Sequence, residues 1–389
     1  VSGYSVHKEA GFMRIAQIAP LTEAIPPELY GGTERVVSWL TEELVTLGHD
    51  VTLFASGNSR TSAKLEAMWP RALRLDDTVR DPMALHIAML ERVRRLASKF
   101  DVLHFHLDYL PFSVFSRQAT PFITTMHGRL DLPEHQTVFN AFGSVPVISI
   151  SDMQRKPVPQ ARWMKTIYHG LPADLLAAGH AKPGYLAFLG RIAPEKSVDR
   201  AIRIAVEAGL PLKIAAKVDR VDRDYFERDI RPMLDLPGIE YIGEIDDAQK
   251  SAFLGGAMAL LMPIDWPEPF GLVMIEAMAC GTPVIAFRSG SVPEVVEHGV
   301  TGLIVDSEAA AATAIRNELA QLSRPRIRAR FEERFTARRM AEEYLAIYRG
   351  LIAGNRRRRP KTVNGAKPAD QHIDDRHQTG MDGGLYVAD

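Results

Sequence analysis

Cysteine occurs once in the 389 residues, at Cys280, so the chain can close no disulfide on itself and offers no thiolate set for zinc. Such sparing use suits a reducing compartment, and a cytoplasmic location is the expectation. No apolar run approaches the roughly 18 residues that span a bilayer, which argues against a transmembrane helix. Neither sign of charge is in excess: 47 lysines and arginines face 48 aspartates and glutamates, a formal net of −1. So balanced a field gives no basis for coating nucleic acid and leaves at most peripheral membrane contact. The dinucleotide fingerprint G-x-G-x-x-G opens neither half, which disfavours a dehydrogenase. What the chain does have is apolar content, 46% of its residues, enough to build sizeable cores. At roughly 100–200 residues per domain, the length implies about two of them.

Met13-Arg14-Ile15 reads as a natural start behind an extension of residues 1–12. Short β-rich runs then alternate with amphipathic segments, the pattern of parallel α/β domains. Strands are expected at Arg14–Ala19, Val51–Ala55, Val102–His106, Phe122–Thr125 and Val147–Ile150, and helices at Glu34–Leu47 and Pro82–Lys99. A second series begins at Tyr185–Leu189, turns through Gly190-Arg191 into a helix from Glu195 to Ala208, and continues with five more strands. These are Leu212–Ala216, Ile239–Ile242, Ala259–Met262, Val284–Phe287 and Leu303–Val305. Prolines and a glycine mark 171–183 as a linker. The expected fold is α/β, with two Rossmann-like domains, 13–170 and 184–334, facing each other across a cleft. Met340, Tyr344, Leu345, Tyr348 and Ile352 give 335–352 the apolar stripe of a helix laid on a domain surface. The remaining 353–389, with the basic run Arg356–Arg359, lacks periodicity and reads as a disordered, solvated tail.

The densest chemical signal runs from Pro263 to Pro283. Pro263, Pro267 and Pro269 forbid a helix, so Glu268 lies on a rigid loop after a strand. A helix can start near Gly271 and reach Cys280, where Gly281 and Pro283 end it. Its first amides, Gly271 to Val273, lack intrahelical partners and form an anion site at the positive end of the dipole. Glu276 follows about one and a half turns later. A sugar–nucleoside diphosphate fits that layout, with hydroxyls near Glu268, phosphates at the helix end and ribose near Glu276. Either glutamate alone is more often an ordinary exposed charge. Gly190-Arg191 and Lys196 form a second cluster, two cations that can converge on one diphosphate and stabilise it as it departs, with no metal. Gly31-Gly32, after Tyr30, allow a backbone-lined floor at a helix start. His127 ends a buried strand at the cleft edge, although a lone histidine is more often structural. His104, His106 and Asp108 make an incomplete metal set, and Asp222-Arg223-Asp224 reads as helix capping rather than a metal-holding D-x-D.

Glu268 to Glu276 resembles the E-x7-E element of retaining glycosyltransferases of family 4, which have the GT-B fold of two Rossmann-like halves. Pro269-Phe270-Gly271-Leu272 and Glu276 to Val284 follow that family's pattern, and Gly190-Arg191 to Lys196 is similar to its donor-phosphate element. Gly31-Gly32, His127-Gly128, Ser149-Ile150-Ser151 and the loop Gly290 to Glu294, taken to face the nucleotide, resemble further parts, so the likeness covers roughly 13–350. It implies a nucleotide-sugar donor, a UDP- or GDP-sugar, held by the second half, an acceptor held by the first, and a C-terminal helix, 335–352, that crosses back to the first half. The acceptor would be a glycan, lipid or small molecule, with Leu21–Tyr30 and Arg129–Gln136 facing it. By the same likeness Glu268 holds sugar hydroxyls, Arg191 and Lys196 the diphosphate, Glu276 the ribose, and His127 the donor sugar near its reacting carbon. Phe270, Gly271 and Leu272 complete the donor site, with no resident cofactor and no metal. Ala215-Ala216-Lys217-Val218 stands where the family often has a glycine-rich turn, so Lys217 either reaches the nucleotide or phosphate or simply snorkels. The rival readings are a hydrolase, epimerase or phosphorylase on the same fold, or a non-catalytic nucleotide-sugar binder; neither composition nor spacing names the oligomeric state.

Overall fold

The computed structural model describes residues 11–28, 31–179 and 183–358. Gly11 and Phe12 are therefore the described part of the expected extension, and Tyr30 and residues 359–389 of the expected tail lie outside the described residues.

Two parallel sheets organise the chain. The first contains β1 (Arg14–Ile18), β2 (Asp50–Ser56), β3 (Lys64–Trp69), β4 (Val102–Phe105), β5 (Phe122–Thr125), β6 (Pro146–Ser149) and β7 (Arg162–Thr166). Their order is β3-β2-β1-β4-β5-β6-β7. The second contains β8 (Tyr185–Arg191), β9 (Leu212–Lys217), β10 (Ile239–Gly243), β11 (Ala257–Met262), β12 (Val284–Phe287) and β13 (Gly302–Val305), ordered β10-β9-β8-β11-β12-β13. Helices cover both faces, so the inner strands read as nearly unbroken apolar runs: Ile15, Ala16 and Ile18 of β1 are fully buried. Strand order reverses between β1 and β4, and again between β8 and β11. Crevices open at those points beyond the strands' carboxyl ends, where ligands of such sheets bind.

Sequence expectation and structure part at several elements. Strands β3 and β7 were not expected; both are edge strands with exposed polar positions, so neither shows a buried run. The helix expected from Glu195 starts at Val198, because β8 extends to Arg191 and a tight turn at Pro194–Lys196 intervenes. Asp222 makes no capping hydrogen bond and instead faces Arg191. Finally, the C-terminal helix spans Ala337–Arg358, so residues 353–358 are helical rather than disordered.

That helix buries Met340, Tyr344, Leu345 and Tyr348 against the first half, packing on the helix Gly32–Thr46 and on β4. The chain thus crosses between halves twice, and the crossings touch. Leu171 N donates to Phe335 O (3.0 Å), and Ala337 N donates to Leu171 O (2.9 Å). A Cβ on Gly170 would lie 2.2 Å from Thr336 O, so only glycine allows this approach.

Candidate functional site

A cleft of about 480 Å³ lies between the halves, a volume suited to a small ligand. Gly31, Gly32, His127, Arg191, Lys196, Glu268, Phe270, Gly271, Leu272 and Glu276 all border it. Its walls come from loops after β1 and β5 on one side, and after β8 and β11 on the other. Across it, Gly32 approaches Leu272: a Cβ there would lie 3.5 Å from Leu272 Cδ1.

Glu268 is held from three directions. Lys196 Nζ hydrogen-bonds its Oε2, and Trp266 Nε1 donates to the same oxygen at 3.1 Å. Ser291 N donates to Glu268 O at 2.9 Å. Beneath it, Gly290 (φ 53°) sits so close that a Cβ would meet Glu268 N and O at 2.3 Å. The Lys196 ammonium also lies 4.7 Å above the Trp266 ring, which orients it. Gly271 caps the helix Leu272–Ala279 in the left-handed region (φ 78°), where the methyl ends of Met262 and Met274 leave no room for a Cβ. The short apolar helix therefore aims its unpaired first amides at the cleft.

Arg191 and Lys196 meet different carboxylates: Lys196 rests on Glu268. Arg191 pairs with Glu195 and lies 3.6 Å from both Asp219 and Asp222. The two cations border one cleft, but each rests against carboxylates of its own. Lys217, the residue at the family departure, borders the same cleft and pairs with Asp219 at 3.0 Å. Glu276 is buried, and its Oε1 accepts from Lys250 Nζ at 2.6 Å. Lys250 also lies 3.1 Å from Asp247, and Asp247 pairs with Arg35 of the opposite half. The Phe270 ring turns into the core, edge-on to His169 with centroids 4.9 Å apart. Glu294 is not among the residues that border the cleft; its carboxylate accepts from Asp152 N (2.7 Å) and Met153 N (2.8 Å) of the first half. Arg129–Gln136 does not border the cleft, whereas Glu23 and Arg74 do, as an ion pair 3.0 Å long. Burial raises the carboxyls of Glu23 and Glu34 above the ordinary range.

His127 is the cleft end of a buried polar chain. Its Nε2 lies 2.8 Å from His106 Nδ1, and His106 Nε2 lies 2.8 Å from Gln17 Oε1. Gln17 Nε2 donates to Tyr348 Oη (3.1 Å), which lies 2.6 Å from His104 Nδ1. His104 Nε2 meets Thr125 Oγ1 at 2.8 Å, and Thr125 meets Tyr344 Oη at 2.8 Å. Burial pushes His104, His106 and His169 well below the usual histidine range and His127 down to about 3, so the rings are neutral near pH 7. His104 and His106 therefore serve hydrogen bonding in the core. Among the described residues no cluster of histidine, cysteine, aspartate and glutamate is arranged to hold a metal.

Lys250, Trp266, Lys217 and the chain behind His127 are what sequence reasoning either missed or left unplaced. The alternation His104-x-His106 and the aromatic spacing of 344 and 348 were visible, but nothing in the sequence joins them.

The residue range 178–335 matches the family model described as glycosyl transferases group 1, and 30–169 matches the model for glycosyltransferase family 4. A glycogen synthase of Mycobacterium tuberculosis (strain ATCC 25618 / H37Rv) is 26% identical over 390 residues, covering 84% of this chain and 93% of its own. A phosphatidyl-myo-inositol mannosyltransferase of Mycobacterium leprae (strain TN) is 27% identical over 333 residues, covering 78% and 86%. The fold matches that of Anabaena Alr3699/HepE in complex with UDP and glucose, with a TM-score of 0.66, 17% identity and coverage of 87% and 100%. With two matching family models, one on each half, and paired parallel sheets closing on one cleft, the chain belongs to glycosyltransferase family 4 and has the GT-B fold.

Proposed function

We propose that this glycosyltransferase moves a hexose from a nucleotide sugar of the UDP-glucose or GDP-mannose type to an acceptor hydroxyl, with retention at the anomeric carbon. The observation that supports it most is the single cleft in which Arg191, Lys196 and the amide end of Leu272–Ala279 flank Glu268 and Glu276. On this reading the diphosphate replaces Glu268 as the partner of Lys196, and Glu276 takes the ribose hydroxyls. Glu268, released from the ammonium, accepts hydrogen bonds from the donor sugar. The bond between the anomeric carbon and the diphosphate oxygen breaks, leaving its electron pair on the diphosphate. The acceptor oxygen bonds to the same face of that carbon, and its proton passes to the departing phosphate oxygen. Two fixed cations and a helix dipole stabilise the charge that develops there, so the step needs no metal. The names of the relatives support glucosyl and mannosyl donors alike.

The test is product analysis with a panel of UDP- and GDP-hexoses, with and without sugar, polyol and lipid acceptors. Transfer that requires an acceptor, yields the donor's own anomer and survives excess EDTA is the expected result. Nucleotide-sugar hydrolysis at the same rate without acceptor would favour the hydrolase reading. Turnover lost to EDTA and restored by magnesium or manganese would remove the metal-free step.

A further inference from the structure

The chain of hydrogen bonds behind His127 has a direction, and the contacts of the Gln17 amide point to it. The contact between the Gln17 amide and Tyr348 is 3.1 Å long, while the one between Gln17 and His106 is 2.8 Å. An N–H···O bond spans about 2.7–3.2 Å, whereas O–H···O bonds cluster near 2.7–2.8 Å. The longer contact therefore suits the amide nitrogen donating to Tyr348, which places the amide oxygen against His106 Nε2. From there each proton is fixed by the one before it. Gln17 Oε1 can only accept, so the neutral His106 carries its proton on Nε2. His106 Nδ1 is then a lone pair, and His127 must donate to it from Nε2. The proton of His127 is thereby committed, leaving Nδ1 unprotonated. That Nδ1 is buried and has no hydrogen-bond partner among the described residues, although the ring borders the cleft. On the other branch Tyr348, having accepted from Gln17, donates to His104 Nδ1, and His104 Nε2 donates to Thr125.

We propose that Gln17, His106 and Tyr348 are positioning residues that hold His127 in its Nε2–H tautomer, so that Nδ1 accepts a hydrogen bond from a substrate hydroxyl. Tyr348 stands on the C-terminal helix, at the far end of the sequence, so the tautomer depends on that helix being docked on the first half. The opposite tautomer would present an N–H to the cleft and could not accept from a hydroxyl. The inference rests on the proposed function for the identity of the hydroxyl-bearing ligand, a hexose, but the tautomer itself exists in the free protein.

The full chain labelled with 15N tests it without substrate. Long-range proton–nitrogen correlation spectra, with His127→Gln used for assignment, should show His127 protonated on Nε2 and bare on Nδ1. Gln17→Leu removes the acceptor that fixes His106 and should give His127 mixed tautomers. Its kcat should fall about tenfold, the loss of one hydrogen bond of roughly 1.4 kcal/mol, with affinity for the nucleoside diphosphate unchanged. Gln17→Glu sets a carboxylate beside His106, favours a second proton on its Nδ1 and should turn the bond to His127 round, moving the His127 proton to Nδ1. Tyr348→Phe, which frees the amide to turn, should lie between Gln17→Leu and the unsubstituted chain. A proton on Nδ1 of His127 in the unsubstituted chain overturns the proposal, as does a folded Gln17→Leu protein with unaltered tautomer and kcat. If the tautomers behave as expected but His127→Gln transfers sugar at full rate, the relay stands and the site reading given to His127 falls.

Discussion

Lys250 stands between two carboxylates, 2.6 Å from Glu276 and 3.1 Å from Asp247, and it is almost wholly buried. Removing one partner of a buried pair leaves an uncompensated charge, at a cost of about 3–5 kcal/mol. Lys250→Met should therefore lower the urea midpoint markedly, while adding Glu276→Gln to it should recover most of the loss. On the proposed function Glu276→Ala should also weaken binding of UDP or GDP roughly tenfold to a hundredfold in titration calorimetry. The histidines give a second prediction. Burial lowers their folded pKa below the unfolded value of about 6.5. As pH falls through 6.5, the unfolded chain binds protons that the folded protein refuses, so stability declines. The loss continues down to the folded values, about 3 for His127. Melting temperature measured from pH 7 to pH 4.5 should fall steeply, and His104→Gln should reduce the apparent proton uptake by about one. An unchanged slope would show that His104 does not stay neutral. Glu268 with Glu276, and Arg191 with Lys196, were legible as pairs that border the cleft because each pair lies within one short stretch of sequence. Lys250 was not, since it meets Glu276 only through the packing of two helices that share no pattern.

Among the elements, the loop between β11 and the helix Leu272–Ala279 depends on its neighbours more than on its prolines. Gly290 supports it from below, with a φ of 53° and no space for a Cβ beside the Glu268 backbone. Gly290→Ala should thus displace Glu268, lowering both melting temperature and turnover. Gly271→Ala should cost less in packing, because its obstacles are the flexible ends of Met262 and Met274 rather than backbone. Left-handed strain of about 1–3 kcal/mol applies to both. Comparing the two melting temperatures checks the order: equal losses would mean that strain alone matters. Elements with two buried faces were legible from their apolar runs, whereas β3 (exposed Lys64, Leu65 and Ala67, with none of its residues fully buried) and β7 (exposed Arg162, Met164 and Lys165) were not. The C-terminal helix was anticipated to residue 352; its last turn is polar and carries no periodic signal, yet Asn355 Nδ2 donates to Ala119 O at 2.8 Å.

For the whole molecule, two Rossmann-like halves follow from the repeated alternation of strand and helix, and that repetition is why the fold was readable. The second crossing was anticipated only through the family likeness, because the pairing of Leu171 with Phe335 and Ala337 is a contact between segments far apart in sequence. It gives the protein a property that ordinary two-domain chains lack. A cut in the first crossing would not release the halves, because the carboxy-terminal fragment would still carry the helix that completes the amino-terminal one. Met340, Tyr344, Leu345 and Tyr348 are each at most 3% exposed, and such side chains contribute about 1.5–3 kcal/mol apiece when buried. Residues 1–179 and 180–389, produced as separate polypeptides, should therefore reassemble on mixing and migrate together in size-exclusion chromatography. Ending the second piece at Thr336 should abolish that reunion, and full-length pieces that migrate apart would refute it. The protein is in effect a lock whose key is attached to the other half, so it can be broken in two and still close.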